Sequence, residues 1–82
     1  MQTIADALTN IVRLMVDTPD KVSVEVVTVP DGMVLRYLVS PSDVGKLIGA
    51  QGRNARSLRV IAAAIGKGAD MRVTLDIPGR AD

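Results

Sequence analysis

The amino-acid sequence predicts one small α+β domain, in which a three-stranded sheet is covered on one face by helices. Near the start, apolar residues recur at spacings of three and four, which indicates an amphipathic helix. Two runs rich in β-branched residues then flank a Pro-Asp-Gly turn, as in an antiparallel hairpin. Two helical stretches separated by glycines and a last alternating run follow. The expected order is therefore α-β-β-α-α-β in two layers, within a domain over residues 1–82 whose structured core spans about 3–77.

The first helix is expected over residues 3–16. Thr3 and Asp6 have the spacing of a capping box, with aspartate in place of the usual glutamate or glutamine. Pro19 ends the helix because proline disfavours a helical conformation in the residue before it. The apolar stripe of this helix consists of Ile4, Leu8, Ile11, Val12 and Met15.

Two strands are expected over residues 22–29 and 33–40, joined by the turn at 30–32. Valine dominates the first of them, which favours β structure. Alternation along the second strand separates a core face from an outer face that carries Arg36. The core-facing side chains of the second strand are expected to be Leu35, Tyr37 and Val39.

A short helix is expected to begin at Pro41, a residue that suits the first helical position. Ser40 stands where a helix cap is favoured, and Asp43 stands at the acidic position of a capping box. Gly49 limits the length of this helix. Gly45, inside it, is expected to be a packing residue.

A longer helix is expected from about Arg53 to about Ile65, with glycines at 66 and 68 as its termination signal. The last strand is expected over residues 71–77, and Pro78 with Gly79 ends the structured chain. The core stripe of the longer helix is expected to be Ala55, Leu58, Ala62 and Ile65.

Composition removes several function classes. The chain has no cysteine and no histidine, which excludes disulfides, thiol chemistry, the usual zinc sites and Ser-His or Cys-His catalysis. No convincing acid–base pair or metal cluster is present, so we expect neither an enzyme nor a cofactor. No apolar run is long enough to span a membrane, and the start lacks the layout of a signal peptide. We therefore expect a cytoplasmic protein.

The basic residues are gathered in one segment. Residues 44–69 hold five basic side chains and no acidic one, for a charge of +5, while the remainder holds five basic and nine acidic residues, for −4. A segment of this kind can attract phosphate while the rest of the chain keeps the protein soluble. A solvated helix face that uses arginine would have the same composition.

The turn Gly49-Ala50-Gln51-Gly52 lies inside this basic segment, between the two predicted helices. Glycine permits backbone angles and close approaches that a Cβ blocks. The following helix presents unpaired N–H groups and the positive end of its dipole, so the turn suits an anion. The Walker and dinucleotide glycine patterns are both absent, which argues against a nucleotide site. Taken singly, Gly49 is more often a plain helix C-cap and Gly52 a permissive turn residue.

The basic segment resembles the signature of the KH domain, an RNA-binding module. The matching run is Val44-Gly45-Lys46-Leu47-Ile48-Gly49-Ala50-Gln51-Gly52-Arg53-Asn54-Ala55-Arg56-Ser57-Leu58-Arg59. With the predicted element order, the chain is similar to the bacterial single-KH proteins of the KhpA (YlqC) family, from near Ile4 to near Ile77. This resemblance implies a type II KH fold whose GxxG loop, residues 49–52, clamps about four nucleotides of single-stranded RNA. It also implies RNA chaperoning or post-transcriptional control, an effect on cell shape and division, self-association, and pairing with a larger KH protein of the Jag type.

The same resemblance implies the site. The residues expected to contact RNA are Lys46, Ile48, Gly49, Ala50, Gln51, Gly52, Arg53 and Arg56. The loop would hold the RNA backbone, and the basic side chains would contact phosphate or ribose. Ile48, Val44 and an apolar residue of the second strand would line a groove for bases. Many relatives carry lysine or arginine at the first variable loop position, where this chain has Ala50, so binding would depend more on Arg53 and its neighbours.

The longer helix is apolar beyond its core stripe. The run from Val60 to Ile65 has no polar residue, whereas a surface helix normally has a polar side. We therefore predict a second buried surface, a two-fold dimer contact formed by Val60, Ile61 and Ala64. Coverage of these residues by the first helix of the same chain is the alternative.

Three functions compete. The leading hypothesis is a non-catalytic module that binds single-stranded RNA as a homodimer. The second is a protein-interaction adaptor with a KH-like fold and weak RNA affinity, which the uncharged loop tip favours. The third is a DNA-binding helix-turn-helix, which fits poorly because its first helix would be short and would follow a hairpin.

Overall fold

Three helices pack on one face of a three-stranded sheet, which confirms the predicted fold class and element order. The computed structural model describes residues 3–77. Its elements are α1 Ile4–Met15, β1 Ser23–Val29, β2 Gly32–Leu38, α2 Val44–Ile48, α3 Arg53–Gly68 and β3 Arg72–Asp76. The predicted end of the structured chain at Pro78 and Gly79 lies outside the described residues. None of the helices within residues 3–77 combines the length and the hydrophobicity that a membrane span requires.

The sheet is mixed, with the strand order β1-β2-β3. β1 and β2 form the predicted antiparallel hairpin, whose last pair is Ser23 with Leu38, so β2 ends two residues before the predicted boundary. β3 lies parallel to β2, from the pair Gly32–Arg72 to the pair Arg36–Asp76. Parallel neighbours require a crossover connection, and here α2 and α3 form it. The glycine turn is therefore the midpoint of this crossover.

The core between sheet and helices is built almost entirely from aliphatic side chains. Its single aromatic residue, Tyr37, is buried with Leu35 on the inner face of β2. The other buried apolar side chains are Leu8, Val12, Val16, Val22, Leu47, Ala55, Leu58, Ala62, Val73, Leu75 and Ile77. The outer face of the sheet is open to solvent, and there Arg36 pairs with Glu25 and Asp76, each at 2.9 Å.

α1 begins with the predicted capping box. The N–H of Asp6 donates to Thr3 Oγ1 at 3.0 Å, and the N–H of Thr3 donates to Asp6 Oδ2 at 3.3 Å. These bonds satisfy amides that the first turn of a helix leaves without partners. The shorter aspartate thus completes the box in place of glutamate.

The predicted capping roles of Ser40 and Asp43 are wrong. The Ser40 side chain caps nothing, and its hydroxyl lies 3.1 Å from that of Ser42. Asp43 is only 1% exposed, and its carboxylate accepts the N–H groups of Asp17 at 3.2 Å and Thr18 at 3.0 Å. A buried carboxylate requires such donors, and the turn after α1 supplies them. Asp43 therefore ties the end of α1 to the start of α2.

Two glycines also depart from their predicted roles. α3 continues three residues beyond the predicted end because Gly66 is a buried helical residue and not a stop. A Cβ on Gly66 would lie 2.6 Å from the Met71 carbonyl oxygen, so the glycine allows β3 to approach the helix. Gly45, by contrast, is exposed, and no atom of residues 3–77 lies within 4 Å of the position a Cβ would take. Its predicted packing role is therefore wrong.

Candidate nucleic-acid interface

The turn between α2 and α3 has a backbone shape that few residue types can adopt. Gly49 has φ 78° and ψ 171°, a region that is essentially restricted to glycine. Gln51 (φ 56°, ψ 24°) and Gly52 (φ 75°, ψ 17°) are both left-handed. The chain therefore reverses sharply over residues 49–52, and the two helices meet at the turn.

Most of the backbone polar groups in the turn are satisfied internally. The N–H of Gly49 donates to the carbonyl of Gly45 at 2.8 Å, and the N–H of Gly52 donates to that of Gly49 at 3.1 Å. The N–H of Arg53 donates to the carbonyl of Ala50. Within residues 3–77, the N–H groups of Ala50 and Gln51 have no acceptor. The exposed tip of the turn is therefore a pair of hydrogen-bond donors.

Two side chains of α3 reach back and fix the turn. Asn54 Nδ2 donates to the carbonyl of Lys46 at 2.8 Å, and Arg56 Nη1 donates to the carbonyl of Gln51 at 2.8 Å. Arg56 was predicted to contact RNA, and the structure gives part of its guanidinium an internal partner. The role of Asn54 was missed, because a single asparagine in a first helical turn has no distinctive sequence signal.

The basic side chains around the turn differ in how they are engaged. Lys46 Nζ lies 3.1 Å from Asp17 Oδ2, in an exposed ion pair of the kind that is worth little and exchanges readily. Among the described residues, Arg53, Arg56 and Arg59 form no ion pair. The positive charge on this side of the molecule is thus carried mainly by the arginines of α3.

A shallow depression of about 340 Å³ adjoins the turn. Its lining residues are Ile48, Gln51, Gly52, Ala55, Arg56 and Arg59. Ile48 therefore lies where an apolar groove wall was expected, while Val44 and β2 do not contribute to this depression. Arg59, which is not among the residues expected to contact RNA, does contribute to it.

An exposed apolar patch lies further along α3. Val60 is 69% and Ile61 39% exposed, and Ala64 is exposed as well, so α1 does not cover them. We call these three residues the α3 patch. At its N-terminal end, Val60 and Ile61 share a second depression with Arg53, Arg56 and Ser57. The apolar patch is therefore continuous with the basic end of the helix.

The described residues contain no group of three or more metal-ligating side chains of the His, Cys, Asp and Glu types.

The elements that meet at this site are a βααβ unit with a glycine turn between its helices. This arrangement is that of a KH domain, the class of RNA-binding module that the sequence resembles.

Comparison with known proteins agrees with this class. The family model for the KhpA/KhpB KH domain matches residues 5–77. The RNA-binding protein KhpA of Leifsonia xyli is 43% identical over 70 residues, which covers 85% of this chain and 92% of the relative. The RNA-binding protein KhpA of Streptomyces coelicolor is 46% identical over 70 residues, covering 85% and 87%. That of Aquifex aeolicus is 44% identical over 75 residues, covering 87% and 95%. No solved structure matches the chain.

The chain belongs to the KhpA/KhpB KH-domain family. The family resemblance found in the sequence is thereby confirmed.

Proposed function

We propose that this protein binds single-stranded RNA, without catalysis, by holding the RNA backbone against the glycine turn. The observation that carries this proposal is the pair of amides, Ala50 and Gln51, that lack an acceptor in the described chain. They lie at the start of α3, where the helix dipole favours negative charge, so phosphate oxygens suit them. The names of the bacterial relatives, RNA-binding proteins, support RNA as the source of that phosphate.

In this proposal, the turn contributes shape and donors, and the flanking residues contribute charge and an apolar wall. Arg53 is exposed and forms no ion pair among the described residues, so it is the main phosphate contact. Lys46 joins it by leaving its exposed pair with Asp17. The full set of proposed RNA contacts is Lys46, Ile48, Gly49, Ala50, Gln51, Gly52, Arg53 and Arg56.

The proposed biological role is that of a bacterial RNA chaperone or post-transcriptional regulator, with effects on cell shape and division. Such a protein works in the cytoplasm, where its RNA is found. The α3 patch supports a homodimer as the working form. The family description covers both KhpA and KhpB, which supports a larger KH protein of the Jag type as a second partner.

The decisive test is a titration of labelled single-stranded RNA and DNA pools at several salt concentrations. We expect the wild type to bind RNA with a log–log salt slope of about −2, the value for three neutralised phosphates at roughly −0.7 each. The double variant Ala50→Asp/Gln51→Asp should lose binding, because two carboxylates would stand where phosphate is held. Position 51 tolerates aspartate, since its left-handed backbone suits that residue.

The matched control is Asn10→Asp/Leu14→Asp, which adds the same charge on the exposed side of α1. We expect this control to bind RNA nearly as the wild type does. Equal binding by the loop variant and the control would overturn the assignment of the loop. Circular dichroism on both variants verifies that they are folded.

A second candidate function is a protein-interaction adaptor. The uncharged tip of the turn and the exposed α3 patch favour it. In that case, the same titration yields no binding by wild type or variant at low salt, while the protein still associates through α3.

A further inference from the structure

We propose that Asn54 is a positioning residue that holds the glycine turn in the shape that receives the RNA backbone. The inference rests on the proposed function. Asn54 itself contacts neither phosphate nor base in this scheme. It acts through the carbonyl group of Lys46, to which its Nδ2 donates at 2.8 Å.

The hydrogen bond from Asn54 gives a donor to a carbonyl group of α2 that its own helix leaves without one. α2 has five residues, so most of its carbonyl groups receive no hydrogen bond from a later amide of the helix. The N–H of Gly49 donates to the carbonyl of Gly45, and the side chain of Asn54 donates to the next carbonyl, that of Lys46. Asn54 lies in the first turn of α3, so its side chain reaches across the glycine turn and joins the two helices.

Gly49 and Asn54 fit one another. A Cβ on Gly49 would lie 2.7 Å from Asn54 Cγ and 2.9 Å from both Asn54 Nδ2 and the Asn54 backbone nitrogen. The asparagine side chain therefore occupies the space that the missing side chain leaves. Its amide packs against the residue whose φ and ψ start the turn.

Asn54 donates to the carbonyl of Lys46 and Arg56 donates to that of Gln51, so two side chains of α3 hold the turn. These two bonds hold the chain at Lys46, before the turn, and at Gln51, within it, and the amides of Ala50 and Gln51 remain available as donors. A receptor that is ordered before binding loses less conformational entropy when the ligand arrives. Asn54 should therefore raise RNA affinity without adding charge.

The test compares Asn54→Ala with Asn10→Ala, an exposed asparagine on α1 that makes no side-chain hydrogen bond among the described residues. Alanine is the best helix former, so Asn54→Ala should retain the fold and the midpoint of urea unfolding. Its RNA affinity should fall about three- to tenfold, the usual effect of one hydrogen bond. The salt slope should not change, whereas Arg53→Ala should reduce its magnitude by about 0.7.

A second measurement is independent of RNA. In the free protein, ¹⁵N relaxation should show lower order at the amides of Ala50 and Gln51 in Asn54→Ala, but not in Asn10→Ala. Asn54→Asp keeps the shape of the side chain and removes the donor, so it should loosen the turn in the same way. Unchanged order in both Asn54 variants would overturn the inference even if RNA binds. If wild type does not bind RNA, the proposed function fails, while this measurement still decides whether Asn54 positions the turn.

Discussion

At the scale of single residues, three glycines within eight positions occupy three different backbone environments. Gly45 is helical and exposed, with free space where a Cβ would be. Gly52 is left-handed, and a Cβ there would come no closer than 3.5 Å to another atom, Arg56 Nη1. Gly49 is in a region that side chains avoid, and a Cβ there would collide with Asn54. Glycine is therefore replaceable at position 45, favoured at position 52 and required at position 49.

Alanine substitutions should rank in that order. We expect Gly45→Ala to leave the free energy of unfolding unchanged or raise it by up to about 1 kcal/mol, because alanine favours a helix. Gly52→Ala should lower it by about 1 kcal/mol, the cost of a left-handed alanine. Gly49→Ala should lower it by more than about 2 kcal/mol, since backbone strain and the collision add. Urea unfolding measures all three, and equal losses at positions 49 and 52 would contradict this ranking.

Tyr37 predicts a stability that depends on alkaline pH. Burial raises the pKa of Tyr37 above its usual value of 10, and the Thr9 hydroxyl, 3.0 Å away, partly opposes that rise. Because the folded pKa is the higher one, the contribution to stability is complete below pH 10 and declines as pH rises through the folded pKa. Unfolding of wild type should therefore become easier above pH 10, and Tyr37→Phe should remove this part of the dependence.

A matched measurement separates Tyr37 from other groups that titrate at high pH. The phenylalanine variant also loses the hydroxyl contacts to Thr9 and the Ala5 carbonyl, so we expect about 1 kcal/mol lower stability at neutral pH. Parallel pH profiles for the two proteins above pH 10 would contradict the assignment to Tyr37.

The position of the turn was predictable from the sequence, but its hydrogen bonding was not. Local spacing alone marks residues 49–52 as a turn between helices, because glycine is the residue that permits such angles. That Asn54 and Arg56 bond to carbonyls eight and five residues back depends on how the two helices cross. Tertiary geometry of this kind leaves no periodic signal in the sequence.

At the scale of elements, α3 and β3 are joined more tightly than the sequence pattern indicates. The N–H of Met71 donates to the carbonyl of Gly66 at 2.8 Å, and the chain turns at Asp70 with φ 60°. A Cβ on Gly66 would also lie 2.8 Å from Val73 Cγ2, whereas one on Gly68 would meet no atom of the described chain within 4 Å. Of the two glycines, only the first is a contact between helix and strand.

Gly66→Ala and Gly68→Ala should therefore have opposite effects. We expect Gly66→Ala to lower the free energy of unfolding by about 1–3 kcal/mol, because β3 must shift away from α3. Gly68→Ala should leave it unchanged or raise it by up to about 1 kcal/mol. Thermal unfolding of the pair provides the comparison. A neutral Gly66→Ala would show that the end of α3 tolerates displacement of the strand.

Helix-capping roles were predicted correctly where the partners are close in sequence, and the prediction was wrong where the partners are distant. The Thr3–Asp6 box involves residues three apart, and it forms as expected. Asp43 has an equally good local pattern, yet its carboxylate bonds to amides that are 25 and 26 residues away. Burial explains this difference, because a carboxylate that is removed from water must accept hydrogen bonds from nearby protein donors.

At the scale of the whole molecule, the α3 patch is a contiguous apolar surface left exposed on the described helices, and the sheet also exposes Val26, Val27 and Leu38. Leu14 on α1 is more exposed, at 87%, but it stands alone, whereas Val60 and Ile61 adjoin each other and Ala64. Isolated exposed apolar residues are common, and contiguous ones favour association. Ile61 is therefore a suitable position for a test variant, and Leu14 is a suitable position for its control.

Sedimentation velocity at micromolar concentrations should detect a dimer of the wild type. Ile61→Asp should convert it to a monomer, because a buried carboxylate without a partner is costly at an apolar contact. Leu14→Asp should leave the dimer intact. A wild type that sediments as a monomer at these concentrations, or an Ile61→Asp variant that remains dimeric, would refute the predicted contact.

The parallel pairing of β2 with β3 has a kinetic consequence for the turn. The β1–β2 hairpin joins residues close in sequence, while β3 pairs with β2 across the whole connection that contains α2 and α3. Contacts across a long connection form late, because the entropy of closing the chain is lost before they contribute. Pulsed hydrogen exchange during refolding should protect hairpin amides before those of β3. The candidate RNA clamp would then acquire its shape in the closing step, and a partly folded chain would carry the turn sequence without a working site.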